Sequence, residues 1–343
     1  MDCDEGRPHG VRLRPMTRAR SGTFVRIAIT CAIVAVLLWR IDVGRAASFV
    51  AHADPAPLVL ALAIFVASTW ALAWRWQLLL AAKGIDEPLS WLTKLYFVGQ
   101  AASQILPTAI GGDAVRILEH ARRRPDAKSA VAAAVLLERA TGAAATFALV
   151  AIGLVLATAL HERVRVFVWI ELGLVAGAAA VAYLLFSKRA RRHLARLAPA
   201  ARRLRLDAVA RSLYGALHAY RSDAAVLGYV TVVSLGLQVV RVLAIWLCAV
   251  AVGIDLSPVP FLILGPLLFL VMLVPFTING IGVREAFFAA FLGRWHVSAS
   301  AAVTAGFVFF ALTAISSLPG AFVLVASRSW RQPLRPPTRR PNW

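Results

Sequence analysis

The sequence predicts an all-α polytopic membrane protein, with about six full transmembrane helices and two broken or re-entrant hairpins related as an inverted repeat. Three observations predict it. The 343-residue chain is 60% hydrophobic with a mean hydropathy of +0.73, far above the apolar share of a soluble domain. Several apolar runs reach the ~20 residues that cross a bilayer. Finally, Pro275 to Glu285 (PFTINGIGVRE) interrupts strongly apolar sequence with a helix breaker, glycines and two opposite charges. Its echo, Pro107 to Arg116 (PTAIGGDAVR), aligns without gaps on Pro275 to Arg284. The two coincide at Pro107/Pro275, Ile110/Ile278, Gly112/Gly280, Val115/Val283 and Arg116/Arg284. Interrupted apolar segments at corresponding places in two halves point to a transporter site. Chance similarity between chains rich in Gly and Ala is the competing explanation.

Residues 1–23 carry Arg7, Arg12, Arg14, Arg18 and Arg20 and read as a disordered basic cytoplasmic tail. The membrane domain is expected over 24–326, with a first half at 24–186 and a second at 224–326. Its first crossing is Ile27 to Trp39, extended toward Thr23 if Arg26 snorkels. Leu58 to Ala82 is the second, with Trp70, Trp74 and Trp76 assigned to an interfacial belt and Arg75 to the headgroups. Trp91 to Ile110 is long enough to cross but holds Lys94, Gln100, Ser103, Gln104 and Pro107. The loop after it, Gly111 to Lys128, is strongly basic, and keeping it cytoplasmic requires a re-entrant hairpin. Non-helical backbone at that depth must be buried in protein or line a watery cavity.

Ser129 to Leu160 and Val166 to Phe186 are the next two crossings. The segment 188–221 has ten Lys/Arg and one acid, Asp207, and reads as basic amphipathic helices on the inner leaflet. Ala224 to Val252 crosses again, carrying Gln238 and Arg241 one turn apart. Val259 to Pro275 and Gly280 to Leu292 form the second broken pair, and Ser298 to Ala326 is the last crossing. The basic tail 327–343 returns to the cytoplasm, so both termini are expected inside.

The excess of Lys and Arg, +20 in formal charge, sits between apolar spans. Membrane topology explains it, and no nucleic-acid partner is expected. Cys3, Cys31 and Cys248 are scattered and suggest neither disulfide framework nor metal site. No cofactor and no enzyme activity are expected: there is no phosphate-cradling Walker loop and no HExxH.

The chemistry points to anions. A half-helix N-terminus presents unpaired N–H groups, and glycines such as Gly112 and Gly280 let a phosphate approach the backbone. Arg116 and Arg284 can grip phosphate bidentately, one such site opening to each leaflet. The candidate substrate-binding residues are Gly111, Gly112, Asp113, Arg116, Glu138, Arg139 and Arg241 with Asn279, Gly280, Gly282, Arg284 and Glu285. In the competing reading the glycines serve packing and the arginines pair with Glu119, Glu138 or Glu285. Glu138 and Arg139, about 100° apart on a helix, should each find partners on other helices. Glu138 and Glu285 are either proton carriers or static counter-ions. For Arg284 the two partners expected are Glu138 and a lipid phosphate.

The polar-Pro-x-x-x-Gly-Gly-Asp-x-x-Arg stretch of the first half and Asn279-Gly280-Ile281-Gly282-Val283-Arg284-Glu285 in the second resemble two motifs of the lysylphosphatidylglycerol synthase transmembrane-region family. The resemblance covers most of 24–326. It implies a flippase-like region that moves a phospholipid or glycolipid between the leaflets of a bacterial inner membrane, with membrane lipids bearing anionic or phosphate headgroups as partners. Bifunctional members add a cytosolic aminoacyl-transferase domain. This chain ends soon after its last span, so synthase activity is not implied. A non-transporting membrane partner of a lipid- or glycan-modifying enzyme is the alternative.

Overall fold

The computed structural model describes residues 48–105, 111–158, 223–273 and 280–326, with a few isolated residues between 169 and 220. Eight α-helices are delimited within the described residues: α1 (Pro55–Ala81), α2 (Leu89–Ile105), α3 (Gly111–Arg123), α4 (Lys128–Thr158), α5 (Ala224–Ala251), α6 (Phe261–Leu273), α7 (Val283–Leu292) and α8 (Ala299–Ala326). No strand occurs among the described residues. Helix α1 starts where Asp54 Oδ1 accepts the Ala56 N–H at 2.9 Å and Pro55 pre-sets the first turn. It ends just before Gly84, whose φ of 67° suits glycine.

Four stretches are long and apolar enough to cross a membrane: Pro55–Ala81, Pro125–Gly153, Ala225–Ala251 and Ala299–Ala326. They coincide with four of the six crossings expected from sequence. The other two, Ile27 to Trp39 and Val166 to Phe186, lie outside the described residues, as do both tails and nearly all of the basic segment 188–221.

The stretch 91–123 is broken as expected. Helix α2 stops at Ile105, and α3 starts at Gly111 and folds back along it. Trp91, near the start of α2, meets His120, near the end of α3, at 5.3 Å between ring centroids. Midway, Gly112 lies so close to Gly99 that a Cβ on Gly112 would sit 2.3 Å from the Gly99 carbonyl oxygen. The second stretch is broken too, with α6 ending at Leu273 and α7 starting at Val283. Each short second helix is followed by a 3₁₀ turn, Pro125–Ala127 after α3 and Gly293–Trp295 after α7, and then by a long helix.

The packing has an internal two-fold character. Exchanging α1 with α5, α2 with α6, α3 with α7 and α4 with α8 maps every substantial helix–helix contact onto another. Thus α2 packs on α8 as α6 packs on α4, and α1 packs on α5 itself. Those two run antiparallel. The start of α1 bonds to the end of α5 (Asp54 N–H to Ala251 O, 2.9 Å), while Lys83 past the end of α1 pairs with Asp223 before α5 at 3.3 Å. Equivalent helices running in opposite directions make the halves inverted. Close crossings of α4 on α6 and of α8 on α2 correspond as well: a Cβ on Gly153 of α4 would lie 3.0 Å from Leu262 O on α6, and one on Gly320 of α8 would lie 1.9 Å from Phe97 O on α2. Such small-residue contacts drive helix association in a bilayer, where lipid is as apolar as leucine. One apolar core gathers α5 to α8 around Ile245, Phe261, Phe288 and Phe291, and a second gathers α1, α2 and α4 around Trp76, Leu92 and Leu137.

Candidate functional site

Between the two cores lies a cavity of about 470 Å³, lined from every helix except α7. Its polar wall starts with Glu138, placed by α4 at 3% exposure. One carboxylate oxygen, Oε1, accepts from Arg75 Nη2 on α1 at 3.2 Å and from the Tyr96 hydroxyl on α2. The other, Oε2, accepts from Arg116 Nη2 on α3 at 3.2 Å. Asp113 bridges Arg116 (2.8 Å) and Arg139 (2.5 Å). The carboxylates therefore hold α1, α3 and α4 together. As the 100° separation requires, Glu138 and Arg139 bond to other helices and not to each other. The Arg116 guanidinium also lies 3.9 Å from the Tyr96 ring centroid and 4.8 Å from that of Trp76, a cation–π box for a buried charge.

Helix α5 supplies the opposite polar wall. Ser234 accepts from Arg75 Nη1 at 2.7 Å, and Gln238 donates to Thr146 on α4. Arg241, one turn on from Gln238, lines the cavity and makes no hydrogen bond or ion pair among the described residues. The remaining wall is apolar, including Phe65 and Leu72 of α1, Leu237 of α5, and Phe269, Leu270 and Met272 of α6.

Of the sequence-predicted residues, Gly112, Asp113, Arg116, Glu138, Arg139 and Arg241 meet at this cavity. Gly111 is buried at the start of α3 but does not line it. Gly112 does, yet its missing side chain is explained by the approach of α3 to α2.

The second motif lies apart from this cavity. Gly280, Gly282, Arg284 and Glu285 do not line the cavity, and Asn279 lies outside the described residues. Arg284 is 2% exposed and bound by its neighbour Glu285, with Nη2 and Nε at 2.7 and 3.0 Å from Oε1. The other Glu285 oxygen accepts the Gly282 N–H at 2.6 Å and so caps α7. The guanidinium lies 4.7 Å from the Phe310 ring centroid. Its partner is thus Glu285, not Glu138. The offset of 168 residues that takes Arg116 to Arg284 takes Glu138 to Gly306, so the second half has no carboxylate at that place, and a Cβ there would make only ordinary contact, 3.4 Å from Glu285 Cα. The glycines here serve the backbone, Gly280 at φ 72° and Gly282 at φ 85°. A Cβ on Gly280 would also meet Met272, on the cavity wall, at 2.7 Å. Glu119, the remaining acid considered as a partner, binds Arg122.

Two residues given to the membrane interface belong inside. Trp76 is fully buried, and Arg75 is 6% exposed and joined to Glu138 and Ser234, while Trp70 is exposed. Ser68, Leu72 and Arg75 recur at i, i+4 and i+7, a face that a helical reading of α1 could have found. Tyr96 gave no signal of its own.

Fold and site together define a multi-pass, all-helical integral membrane protein with a charged chamber inside its bundle. The chain belongs to the lysylphosphatidylglycerol synthase TM region family, whose sequence profile matches residues 24–320. It is also similar to a protein of Haloferax volcanii named glycosyltransferase AglD, at 26% identity over 316 residues. That match covers 82% of this chain and 50% of the relative, so the chain spans about half the relative's length.

Proposed function

We propose that the protein moves a phospholipid or glycolipid between the leaflets of a bacterial inner membrane, with both termini cytoplasmic and without catalysing a reaction itself. The observation that carries this reading is the cavity. A chamber lined both by arginines and by Phe65, Leu72, Phe269 and Met272 has the two-fold chemistry of a lipid. Headgroup and chain root would each meet their own kind of surface. The inverted halves supply the frame on which such a chamber opens alternately to either side. In this reading Arg116, Arg139 and Arg241 meet the headgroup, and Asp113 and Glu138 balance their charge. Arg284 and Glu285 hold the start of α7.

The relative named as a glycosyltransferase favours a second reading: a non-transporting membrane partner of a lipid- or glycan-modifying enzyme. One experiment separates the two. Purified full chain is reconstituted in liposomes with headgroup-labelled fluorescent lipids, and transfer is read by quenching the outer leaflet. Transfer by the protein alone supports translocation, and transfer at the rate of empty liposomes for every lipid class supports the partner role.

A further inference from the structure

Four guanidinium groups, Arg75, Arg116, Arg139 and Arg241, and two carboxylates, Asp113 and Glu138, line the cavity, and among the described residues no other ionisable acid or base except the Tyr96 phenol does so. The positive charges among these lining groups therefore exceed the negative ones by two. Arg75 Nε, Arg116 Nη1 and Arg241 Nε are buried with no hydrogen-bond partner among the described residues. The carboxylate oxygens bind other arginine nitrogens instead. Buried guanidinium N–H groups are costly unless something accepts from them. We infer that the cavity is a dianion site: it takes a phosphate monoester or a diphosphate, whose two negative charges cancel the excess and offset the cost of burying these cations. A phosphodiester, with one charge, would leave one arginine unmatched, and an amino-bearing headgroup would add to the repulsion. The apolar wall beside the arginines indicates a lipid-borne phosphate, although the same chemistry is present in a soluble one.

This inference rests on the lipid-translocation reading only for the source of the phosphate, and its test is a binding measurement that needs no transfer. The full chain in uncharged detergent is titrated at pH 8, where a phosphate monoester is doubly ionised, with phosphatidic acid, phosphatidylglycerol and inorganic pyrophosphate. Phosphatidic acid should bind at least about tenfold more tightly than phosphatidylglycerol, as one extra matched charge implies. Arg241→Gln removes a guanidinium that makes no hydrogen bond or ion pair among the described residues and keeps a polar side chain of similar length, so the variant should fold. It should reduce that preference to within about twofold. Lys94→Gln, an exposed change outside the cavity, should keep the preference. Equal binding of the two lipids, or full preference in Arg241→Gln, would overturn the inference. Displacement of phosphatidic acid by pyrophosphate at matching concentrations supports the dianion site and assigns it to a soluble phosphate. Failure of pyrophosphate to compete assigns it to a headgroup. Leaflet transfer without the preference would sink this inference and spare the translocation reading, and preference without transfer would do the reverse.

Discussion

Glu138→Ala is the sharpest perturbation of the chamber. The carboxylate is 3% exposed and is the only acid bound to Arg75 among the described residues. It also carries one of the two bonds to Arg116 and accepts from Tyr96. Its removal leaves four guanidiniums facing Asp113 alone. Taking one partner from a buried charge pair costs about 3–5 kcal/mol. At about 2 °C per kcal/mol for a chain of this size, the expected fall in Tm is about 6–10 °C. The assay is thermal unfolding of the full chain in detergent at one scan rate, with Arg116→Ala and the double variant completing a cycle. Coupling should reach at least about 1 kcal/mol, since the residues touch. The reasoning would fail if Glu138→Ala unfolded within about 2 °C of the parent, because the carboxylate would then not be compensating the arginines.

Arg284 and Glu285 should couple by at least about 1 kcal/mol in a second cycle, whereas Arg284 and Glu138 should be additive to within about 0.5 kcal/mol, read by the same unfolding assay. Gly320→Ala should destabilise more than Gly153→Ala, because the added Cβ meets backbone at 1.9 Å against 3.0 Å; the order of the two unfolding temperatures checks this. Gly282→Ala forces a side chain to φ 85° at a cost of about 1–3 kcal/mol, and unfolding in detergent reads it. His120 lies on α3, outside the four spans, between Trp76 and Trp91. Burial lowers its pKa from the ordinary 6.5, against the pull of Glu87, while Arg124 and Arg123 add to the lowering. Its unfolded form therefore takes up a proton first. Stability is full above about pH 6.5 and declines as pH falls below it. His120→Gln should flatten the lower limb of a stability–pH profile, and an unchanged profile would remove His120 as the cause.

The sequence by itself determined the membrane class, four of the crossings, the two breaks and the correspondence between halves. Those features are set by local composition: apolar length decides what crosses a bilayer, and Gly with Pro decides where a helix stops. It also singled out most of the charged residues of the chamber, because a charge in apolar sequence is conspicuous wherever it ends up. What it could not decide was which charge answers which. Arg75 looked like an interfacial arginine until the packing of α1 on α4 and α5 placed it against Glu138 and Ser234. Arg116 and Arg284 occupy equivalent places in matching motifs, yet one faces a cavity and the other is held by its neighbour. That difference accompanies the fourth described helix of each half, where α4 presents Glu138 and α8 presents Gly306. Pairing energy depends on distance and burial across helices far apart in the chain, and only the tertiary structure sets those distances.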